Sequence, residues 1–327
     1  MLLAGDIGGT KTVLASYEVV AGGALRELRD GTFPSRDFPD GLESIVQKFL
    51  SVGPSAPITS ACFGVAGAVV DGRCTTTNLP WILDERTLTR SIPAGRVKLL
   101  NDLEAAAWGV LAFGPSERVT LQAGTARAGN LALIAAGTGL GEALIPWDGT
   151  RHRVMASEGG HSDFAPRDDR EVRLFQWLAH QFGHVSYERV LSGPGLFNIY
   201  RFLVEAEGAP RPAWLAERLE REDPSACIAE VGLAGKDPAS MATLDLFASI
   251  YGAEAGNLAL KGLAVGGLWV GGGVAPKLRT KLEDGMFVRA FCDKGRFATL
   301  MSTIPVHLAL NPRAPLLGAA RIAATPP

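Results

Sequence analysis

Glycine-rich turns that follow apolar runs are the most chemically informative feature of this 327-residue sequence. The first turn, Gly5-Asp6-Ile7-Gly8-Gly9-Thr10, follows the apolar residues 2–4. Glycines let the backbone turn tightly with its N–H groups facing an anion, and Asp6 adds a carboxylate that suits a divalent cation. The pattern therefore predicts a phosphate-binding loop. A plain Gly-Gly hairpin between two strands explains this stretch, taken alone, equally well.

Two more turns of this kind, Gly137-Thr138-Gly139 and Gly271-Gly272-Gly273, follow apolar runs later in the chain. A Walker loop does not fit, because Lys11 follows Thr10 instead of a glycine. A dinucleotide fingerprint that begins at Gly137 does not fit either, because Glu142 stands where glycine or alanine is required. The three turns therefore favour a nucleotide held by backbone amides from two domains.

A carboxylate stands between the first two glycine turns, in the pair Asn101-Asp102 after the apolar residues 97–100. It falls where a strand ends and a helix begins, a place where ordered carboxylates are commonly displayed. Asp102 is therefore a candidate general base. A helix N-cap without chemical function is the competing explanation for Asp102.

Two later segments combine polar side chains with glycines: Ser157-Glu158-Gly159-Gly160-His161, and residues 187–195, which include Glu188. Carboxylates and imidazoles hydrogen-bond adjacent hydroxyl groups, and such groups are costly to bury unpaired, so the pattern indicates a polyhydroxy ligand. A metal site at Glu158 and His161, or at His180 and His184, is disfavoured. The spacing of the two helical histidines lacks the glutamate of a zinc protease.

Composition limits the classes of protein and partner. Hydrophobic residues make up 47% and charged residues 20% of the chain, and the formal net charge is −2, which is typical of a globular protein without a nucleic-acid or membrane partner. We expect no signal peptide and no membrane span, and we predict a cytoplasmic protein. The cysteines lack paired spacing, so neither a structural zinc nor a disulfide framework is expected; they are Cys62, Cys74, Cys227 and Cys292.

Hydrophobic periodicity and turn residues predict an α/β protein. The expected elements are three strands within 2–32, a helix over 40–50 capped by Asp40, strands over 58–65 and 97–100, a helix over 103–113, strands over 131–135 and 143–145, helices across 170–263, a strand over 266–270 and a helix over 314–324. The repeated succession of strand, glycine turn and strand suggests a duplicated fold. We expect a small α/β domain of residues 1–113 plus 309–327, and a large α+β domain of residues 114–308.

Together these motifs, in this order and over nearly the full chain, closely resemble the bacterial ATP-dependent glucokinases of the actin, sugar-kinase and Hsp70 superfamily. The resemblance implies a two-domain, actin-like (ribonuclease H-like) fold with a cleft between the domains. It also implies a homodimer that phosphorylates glucose at the 6-hydroxyl with ATP and Mg²⁺.

Individual residues acquire expected roles through the same resemblance. Asp102 is expected to receive the proton of the 6-hydroxyl. The other hydroxyl groups of the sugar are expected to contact Asn78, Asn101, Glu158, His161 and Glu188. The nucleotide is expected at Gly5, Asp6, Ile7, Gly8, Gly9, Thr10, Gly137, Thr138, Gly139, Gly271 and Gly272.

The sequence also departs from relatives of this type. Sugar kinases with a zinc-binding cysteine cluster after the histidine turn are not matched, because residues 163–166 contain no cysteine; structural zinc is therefore not expected, and no metal-ligating residue is assigned. Lys11 stands where many such glucokinases carry asparagine, which leaves its role toward the phosphates open. Two alternatives remain: a kinase of another hexose, and a sugar-binding regulator that does not phosphorylate. Such a regulator usually carries a DNA-reading module, and none precedes the first strand.

Overall fold

The computed structural model describes residues 1–52, 56–76 and 79–325, and the chain divides into two compact units. Unit 1 comprises Met1–Gly114 and Asn311–Pro327, and unit 2 comprises Pro115–Leu310. Each unit is built on one large sheet accompanied by helices, so the predicted α/β class is confirmed. No helix within the described ranges is long and apolar enough to cross a membrane.

Unit 1 begins with an antiparallel meander and continues with parallel strands. Its strands are β1 (Leu2–Ile7), β2 (Lys11–Val19), β3 (Leu25–Pro34), β4 (Ser60–Val65), β5 (Arg73–Thr75), β6 (Ile82–Asp84) and β7 (Val97–Asn101). The main sheet has the order β3-β2-β1-β4-β7, in which β4 and β7 run parallel to β1, while β5 and β6 form a separate hairpin. The three strands predicted within 2–32 are confirmed.

Helices cover both faces of this sheet because the apolar side chains of β1 alternate. They are α1 (Leu42–Leu50), α2 (Glu85–Ser91), α3 (Asp102–Val110) and α12 (Ala314–Ala324). Leu3 packs in a core with Ile45 of α1, whereas Leu2 packs in a second core with Leu316 of α12. The helix predicted over 314–324 is confirmed. The predicted cap at Asp40 is wrong: Gly41, with a φ of 102°, precedes α1 and no side chain caps it.

Unit 2 repeats this strand pattern within a larger helical shell. Its strands are β8 (Arg118–Gln122), β9 (Leu131–Ala136), β10 (Leu140–Ile145), β11 (Met155–Ser157), β12 (Gly267–Gly271) and β13 (Val306–Ala309). Its helices are α4 (Asp169–Phe182), α5 (Gly193–Glu205), α6 (Ala213–Arg221), α7 (Pro224–Leu233), α8 (Pro238–Lys261), α9 (Arg279–Leu282), α10 (Met286–Cys292) and α11 (Ala298–Ser302).

The sheet order β11-β10-β9-β12-β13 reproduces β3-β2-β1-β4-β7, with β8 added at the far edge. The directions also agree, because β10 and β11 continue β9 as an antiparallel meander while β12 and β13 lie parallel to it. The repeat inferred from the two glycine turns is therefore visible as a duplicated sheet. Each glycine turn joins the first two strands of its copy.

The long helix α8 anchors the second copy. The phenol of Tyr251, which is fully buried, accepts a hydrogen bond from the N–H of Ala136 at the end of β9, at 3.2 Å. A polar side chain buried in this way holds the strand end at a fixed depth, because breaking the bond would leave unpaired polar groups in the core. The start of the second glycine turn is thereby fixed by the core of unit 2.

Candidate active site

The first glycine turn of unit 1 is held from behind by Ser35. The Ser35 hydroxyl donates to the Gly8 carbonyl at 2.7 Å and contacts the hydroxyl of Thr12 at 3.0 Å, and its backbone N–H donates to the Thr10 carbonyl at 3.1 Å. The Gly8 N–H closes the turn onto the Lys11 carbonyl at 3.0 Å. Ser35 was not identified from the sequence, because it reaches the turn only after β3 has folded back along β2.

Two carboxylates lie at the same edge of the unit 1 sheet. Ile7, Val65 and Asn101 are neighbours at the carboxyl ends of β1, β4 and β7. Asp6 immediately precedes Ile7 in the chain, and Asp102 immediately follows Asn101, so both lie at this edge. Burial and, to a smaller extent, the charge of Asp102 raise the pKa of Asp6 to about 6, while Lys11 opposes the shift. Asp6 is therefore mostly ionised at neutral pH.

Asn101, and not Asp102, is the N-cap of α3. Its side-chain oxygen accepts the N–H groups of Leu103 and Glu104 at 2.9 and 3.3 Å, and its amide donates to the Gly67 carbonyl at 3.1 Å. The explanation of Asp102 as a helix cap is thus wrong. Asp102 is the first residue of α3, where the positive end of the helix favours its negative charge.

Gly64 brings α3 against the sheet. A β carbon at this position would lie 2.8 Å from the β carbon of Ala105, so a larger residue would push the first turn of α3 away from β4. The helix predicted over 103–113 begins one residue earlier, at Asp102, and ends at Val110, and its first turns lie directly against β4, the neighbour of β1.

In unit 2, three predicted sugar-binding residues lie on two short 3₁₀ turns that meet. One carboxylate oxygen of Glu188 accepts the Leu140 N–H at 3.0 Å, and the other lies 4.0 Å from Nδ1 of His161. The backbone N–H of His161 donates to the Glu158 carbonyl at 3.0 Å. The side chain of His161 is 60% exposed, which makes it available to a ligand.

A cavity of about 500 Å³ adjoins the second glycine turn, within the range of small-molecule sites. It is lined by the glycine turn, the N-terminal ends of α5 and α7, and the segment after β12. The lining residues are Gly137, Thr138, Gly193, Pro194, Leu196, Phe197, Asp223, Pro224, Ser225, Ala226, Ala229, Gly273, Val274, Lys277 and Leu278. Most of this lining is apolar, which suits a planar base and a ribose.

Hydrogen bonds join the walls of this cavity. The Gly193 N–H donates to the Gly137 carbonyl at 2.8 Å, and the hydroxyl of Ser225 donates to the Gly193 carbonyl at 2.6 Å. A smaller cavity of about 80 Å³, lined by Glu188, shares Thr138 and Pro194 with the large one. Thr138 therefore lies between the large cavity and the Glu188 turn, where a ligand could extend from one toward the other.

The remaining predicted residues are placed as follows. Gly5 is buried within β1. Gly271 is the buried last residue of β12, and the cavity is lined instead by Gly273 and Val274, which follow it. Asn78 lies outside the described residues. Among these described residues, no group of three or more histidine, cysteine or acidic side chains could hold a metal ion.

The start of α7 lies at the cavity and was not identified from the sequence. Asp223-Pro224 is a strong local signal for a helix start, and Asp223 does accept the Ala226 N–H at 2.7 Å. Nothing local indicates that this helix end reaches Gly137. Lys277 was missed for the same reason.

Comparison with solved structures defines the class of protein. The glucokinase from an Antarctic psychrotroph has a TM-score of 0.85 and 30% identity, with 98% of each chain covered. A glucokinase from Streptomyces griseus, of the ROK family and solved with glucose and AMPPNP, has a TM-score of 0.64 and 23% identity, with 98% of each chain covered. The duplicated sheet is thus the two-domain, actin-like fold of sugar kinases.

Sequence comparison narrows the class to one family. A family model described as Glucokinase matches residues 3–326. The glucokinase of Trichormus variabilis is 42% identical over 340 residues, which cover 99% of each chain. This chain therefore belongs to the glucokinase family, and the resemblance inferred from its motifs is confirmed.

Proposed function

We propose that this chain is a glucokinase that transfers the γ-phosphoryl group of ATP to the 6-hydroxyl of D-glucose. Membership of the glucokinase family over nearly the whole chain supports the reaction. The single structural observation that carries it is the position of Asp102, the first residue of α3, at the same sheet edge as the first glycine turn and close enough for its charge to help raise the pKa of Asp6. A general base near a phosphate site is what hydroxyl phosphorylation needs.

The donor is proposed to be ATP, which enters as its Mg²⁺ complex. The base and ribose would occupy the 500 Å³ cavity of unit 2, and the phosphates would contact the backbone of 8–10 and of Gly137-Thr138-Gly139. Mg²⁺ commonly uses one or two protein carboxylates together with substrate phosphates, and Asp6 supplies a carboxylate beside the first turn. A glucokinase of the same fold was solved with AMPPNP, an ATP analogue.

Glucose is proposed to contact Asn101 and Asp102 of unit 1, and Glu158, His161 and Glu188 of unit 2, with Asn78 as a further contact. As the O6–phosphorus bond forms, the bond from phosphorus to the bridging oxygen of ADP breaks, and the O6 proton passes to the Asp102 carboxylate. The transition state of such transfers is loose, so positioning and charge stabilisation account for most of the catalysis. Products are glucose 6-phosphate and ADP.

The proposal also includes a cytoplasmic location and a homodimer, both from the family resemblance. Size-exclusion chromatography with light scattering tests the dimer. A mass near twice the 34.5 kDa of the chain supports it, and a mass near 34.5 kDa overturns it.

The decisive experiment is an ADP-release assay with glucose, mannose, glucosamine and fructose. We expect glucose-dependent ADP and a product that glucose-6-phosphate dehydrogenase oxidises. A stronger response to another hexose would support a kinase of that sugar. Glucose binding without ADP release would support the regulator.

A further inference from the structure

Two buried glutamates lie behind the sugar-binding turns, Glu142 on β10 and Glu254 on α8. They are 2% and 0% exposed, and their carboxyl groups are in hydrogen-bond contact. In the part of the chain that the structure describes, no donor reaches Oε1 of Glu142. Two carboxylates cannot face each other in a core at acceptable cost, whereas one protonated carboxyl can donate to the other. The geometry therefore calls for a proton on Glu142.

Glu142 lies directly under the turn that carries Glu158 and His161. A β carbon at position 159 would collide with Oε2 of Glu142, so the turn rests directly on this carboxyl, and a side chain there would displace the carboxyl or the turn. The hydroxyl of Ser157 also donates to the Glu142 carbonyl, at 2.8 Å. A displacement of the Glu142 side chain would therefore be transmitted to this turn.

Glu254 supports the other turn, through Tyr187. The Tyr187 phenol hydrogen-bonds Glu254, and the amide of Asn257 donates to Glu254 at 2.8 Å and to the phenol at 3.2 Å. Tyr187 immediately precedes Glu188, and its backbone N–H donates to the Ser162 carbonyl at 3.0 Å. The glutamate pair thus connects the turn of His161 with the turn of Glu188.

The charges around the pair determine its protonation. From α8, Lys261 lies 3.5 Å from Glu254, and the charge of Glu142 is one cause of the raised pKa of Tyr251. Lys294 donates a hydrogen bond to the side-chain oxygen of Asn257 at 2.7 Å. Strands β9 and β11 bring no titratable side chain, and the turn itself carries Glu158 and His161. Burial and then the charge of Glu254 raise the pKa of Glu142 to about 8, against the opposing effect of Lys261.

We propose that Glu142 and Glu254 act as a protonated positioning pair that sets the spacing of the two sugar-binding turns. When the pair loses its proton, repulsion between two buried carboxylates moves the turns apart and weakens glucose binding, while phosphoryl transfer from bound substrates is unchanged. This inference rests on the proposed function, because it assumes that Glu158, His161 and Glu188 contact the sugar.

The test is the pH dependence of kcat, of both KM values and of the glucose Kd from calorimetry, between pH 7 and pH 9. If only the protonated pair binds sugar, the glucose KM and Kd rise about tenfold at pH 9, one unit above the transition. The ATP KM and kcat stay level. Glu142→Gln keeps a donor that cannot ionise, so its glucose KM stays flat. Glu254→Gln removes the other ionisable carboxyl of the pair, so its glucose KM should also stay flat.

Glu171→Gln is the matched control, because Glu171 is another buried glutamate of unit 2 but pairs with Arg167. It should keep the alkaline rise of the wild type. A flat wild-type profile, or a rise that persists in both Glu142→Gln and Glu254→Gln, overturns the positioning pair. Absence of glucose-dependent ADP at every pH overturns the proposed function instead. The pH dependence of the glucose Kd from calorimetry then still tests whether the glutamate pair controls sugar binding.

Discussion

The same cross-strand residue pair of the two sheets holds one carboxyl group in each unit, but on opposite strands; the group is partly buried in unit 1 and fully buried in unit 2. In unit 1 it is Asp6 of β1, opposite Val13 of β2. In unit 2 it is Glu142 of β10, opposite Ile134 of β9. The two pairs correspond because Ile7 is the last residue of β1 that pairs with β4, and Ala135 is the last residue of β9 that pairs with β12. Asp6 and Ile134 each precede that residue by one position.

The two acids differ in charge at neutral pH. The pKa of Asp6 is raised to about 6 and that of Glu142 to about 8, so Asp6 is mostly ionised at pH 7 while Glu142 keeps its proton. Asp6 faces Lys11 and Asp102 at the turn edge, whereas Glu142 faces Glu254 inside the core. The duplicated strand pair thus carries an ionised acid in unit 1 and a protonated acid in unit 2.

The difference suggests a division of tasks between the copies. The acidic edge of unit 1, with Asp6 and Asp102, suits a cation and a proton transfer. Unit 2, with its largely apolar cavity and hydrogen-bonding turns, suits the recognition of base and sugar by shape and hydrogen bonds. The variant expected to have the largest effect on this division of tasks is Asp102→Asn. We expect kcat to fall about 10² to 10⁴-fold, the usual contribution of a general base, with little change in the glucose KM. Steady-state kinetics measure both.

Glu104→Gln is the control for this variant, because Glu104 lies two residues further along α3 and is partly buried. It should keep near-normal turnover. If Asp102→Asn also turns over normally, the chemistry does not depend on the acidic edge and the division fails.

The effect of the two acids on the stability of the protein provides the next test. Because folding raises the pKa of Asp6 from 3.8 to about 6, its contribution is most favourable below pH 3.8 and is lost as pH rises through about 6. Asp6→Asn should therefore increase the free energy of unfolding at pH 8 by up to about 3 kcal/mol, and by roughly half as much at pH 5. Urea unfolding at the two pH values measures this.

Glu142→Gln sharpens the contrast, because the contribution of Glu142 is lost over a later window, as pH rises from 4.5 through about 8. The unfolding free energy of Asp6→Asn should still fall between pH 6 and pH 8, while that of Glu142→Gln should be flatter there. Identical pH profiles for both variants would contradict separate protonation of the two acids.

The features of the fold that have local sequence signals could be predicted from the sequence. The glycine turns follow apolar strands, and the apolar spacing of Ala314–Ala324 with Pro315 near its start defines α12 correctly. Glu142 was noticed only as a departure from a dinucleotide motif. Its raised pKa depends on burial and on contact with Glu254, 112 residues later in the chain, and no local pattern encodes that contact.

The roles of Asn101 and Ser35 were obscured for related reasons. An Asn-Asp pair at a helix start allows either residue to cap, and the choice depends on how α3 packs on Gly64. Ser35 supports the first glycine turn across 27 residues. The types of residue at the candidate site were thus predictable, while the contacts that hold them in place depend on tertiary structure.

A smaller effect is expected from Glu188→Gln. Glutamine can still accept the Leu140 N–H, so the turn should keep its fold, but a charged hydrogen bond to the sugar is lost. Loss of about 1.5–3 kcal/mol corresponds to a rise of about ten- to hundredfold in the glucose KM, with the ATP KM unchanged. Glu207→Gln, which removes the charge that pairs with Arg170 and Arg173 away from the candidate site, should leave both KM values unchanged. An equal rise in the ATP KM would show that Glu188 acts on unit 2 as a whole.

The smallest effect is expected from Lys277→Met at the donor cavity. Lys277 is exposed at the cavity wall, and an exposed charge contributes only about 0.2–1 kcal/mol, so the ATP KM should rise about two- to fivefold while the glucose KM stays constant. Lys236→Met, at an exposed position that does not line the cavity, should change neither constant. A rise of the ATP KM beyond about a hundredfold would mean that unit 2 holds the nucleotide mainly by charge. The donor cavity of unit 2 would then work by electrostatics, like the acidic edge of unit 1, and the proposed contrast between the two copies would disappear.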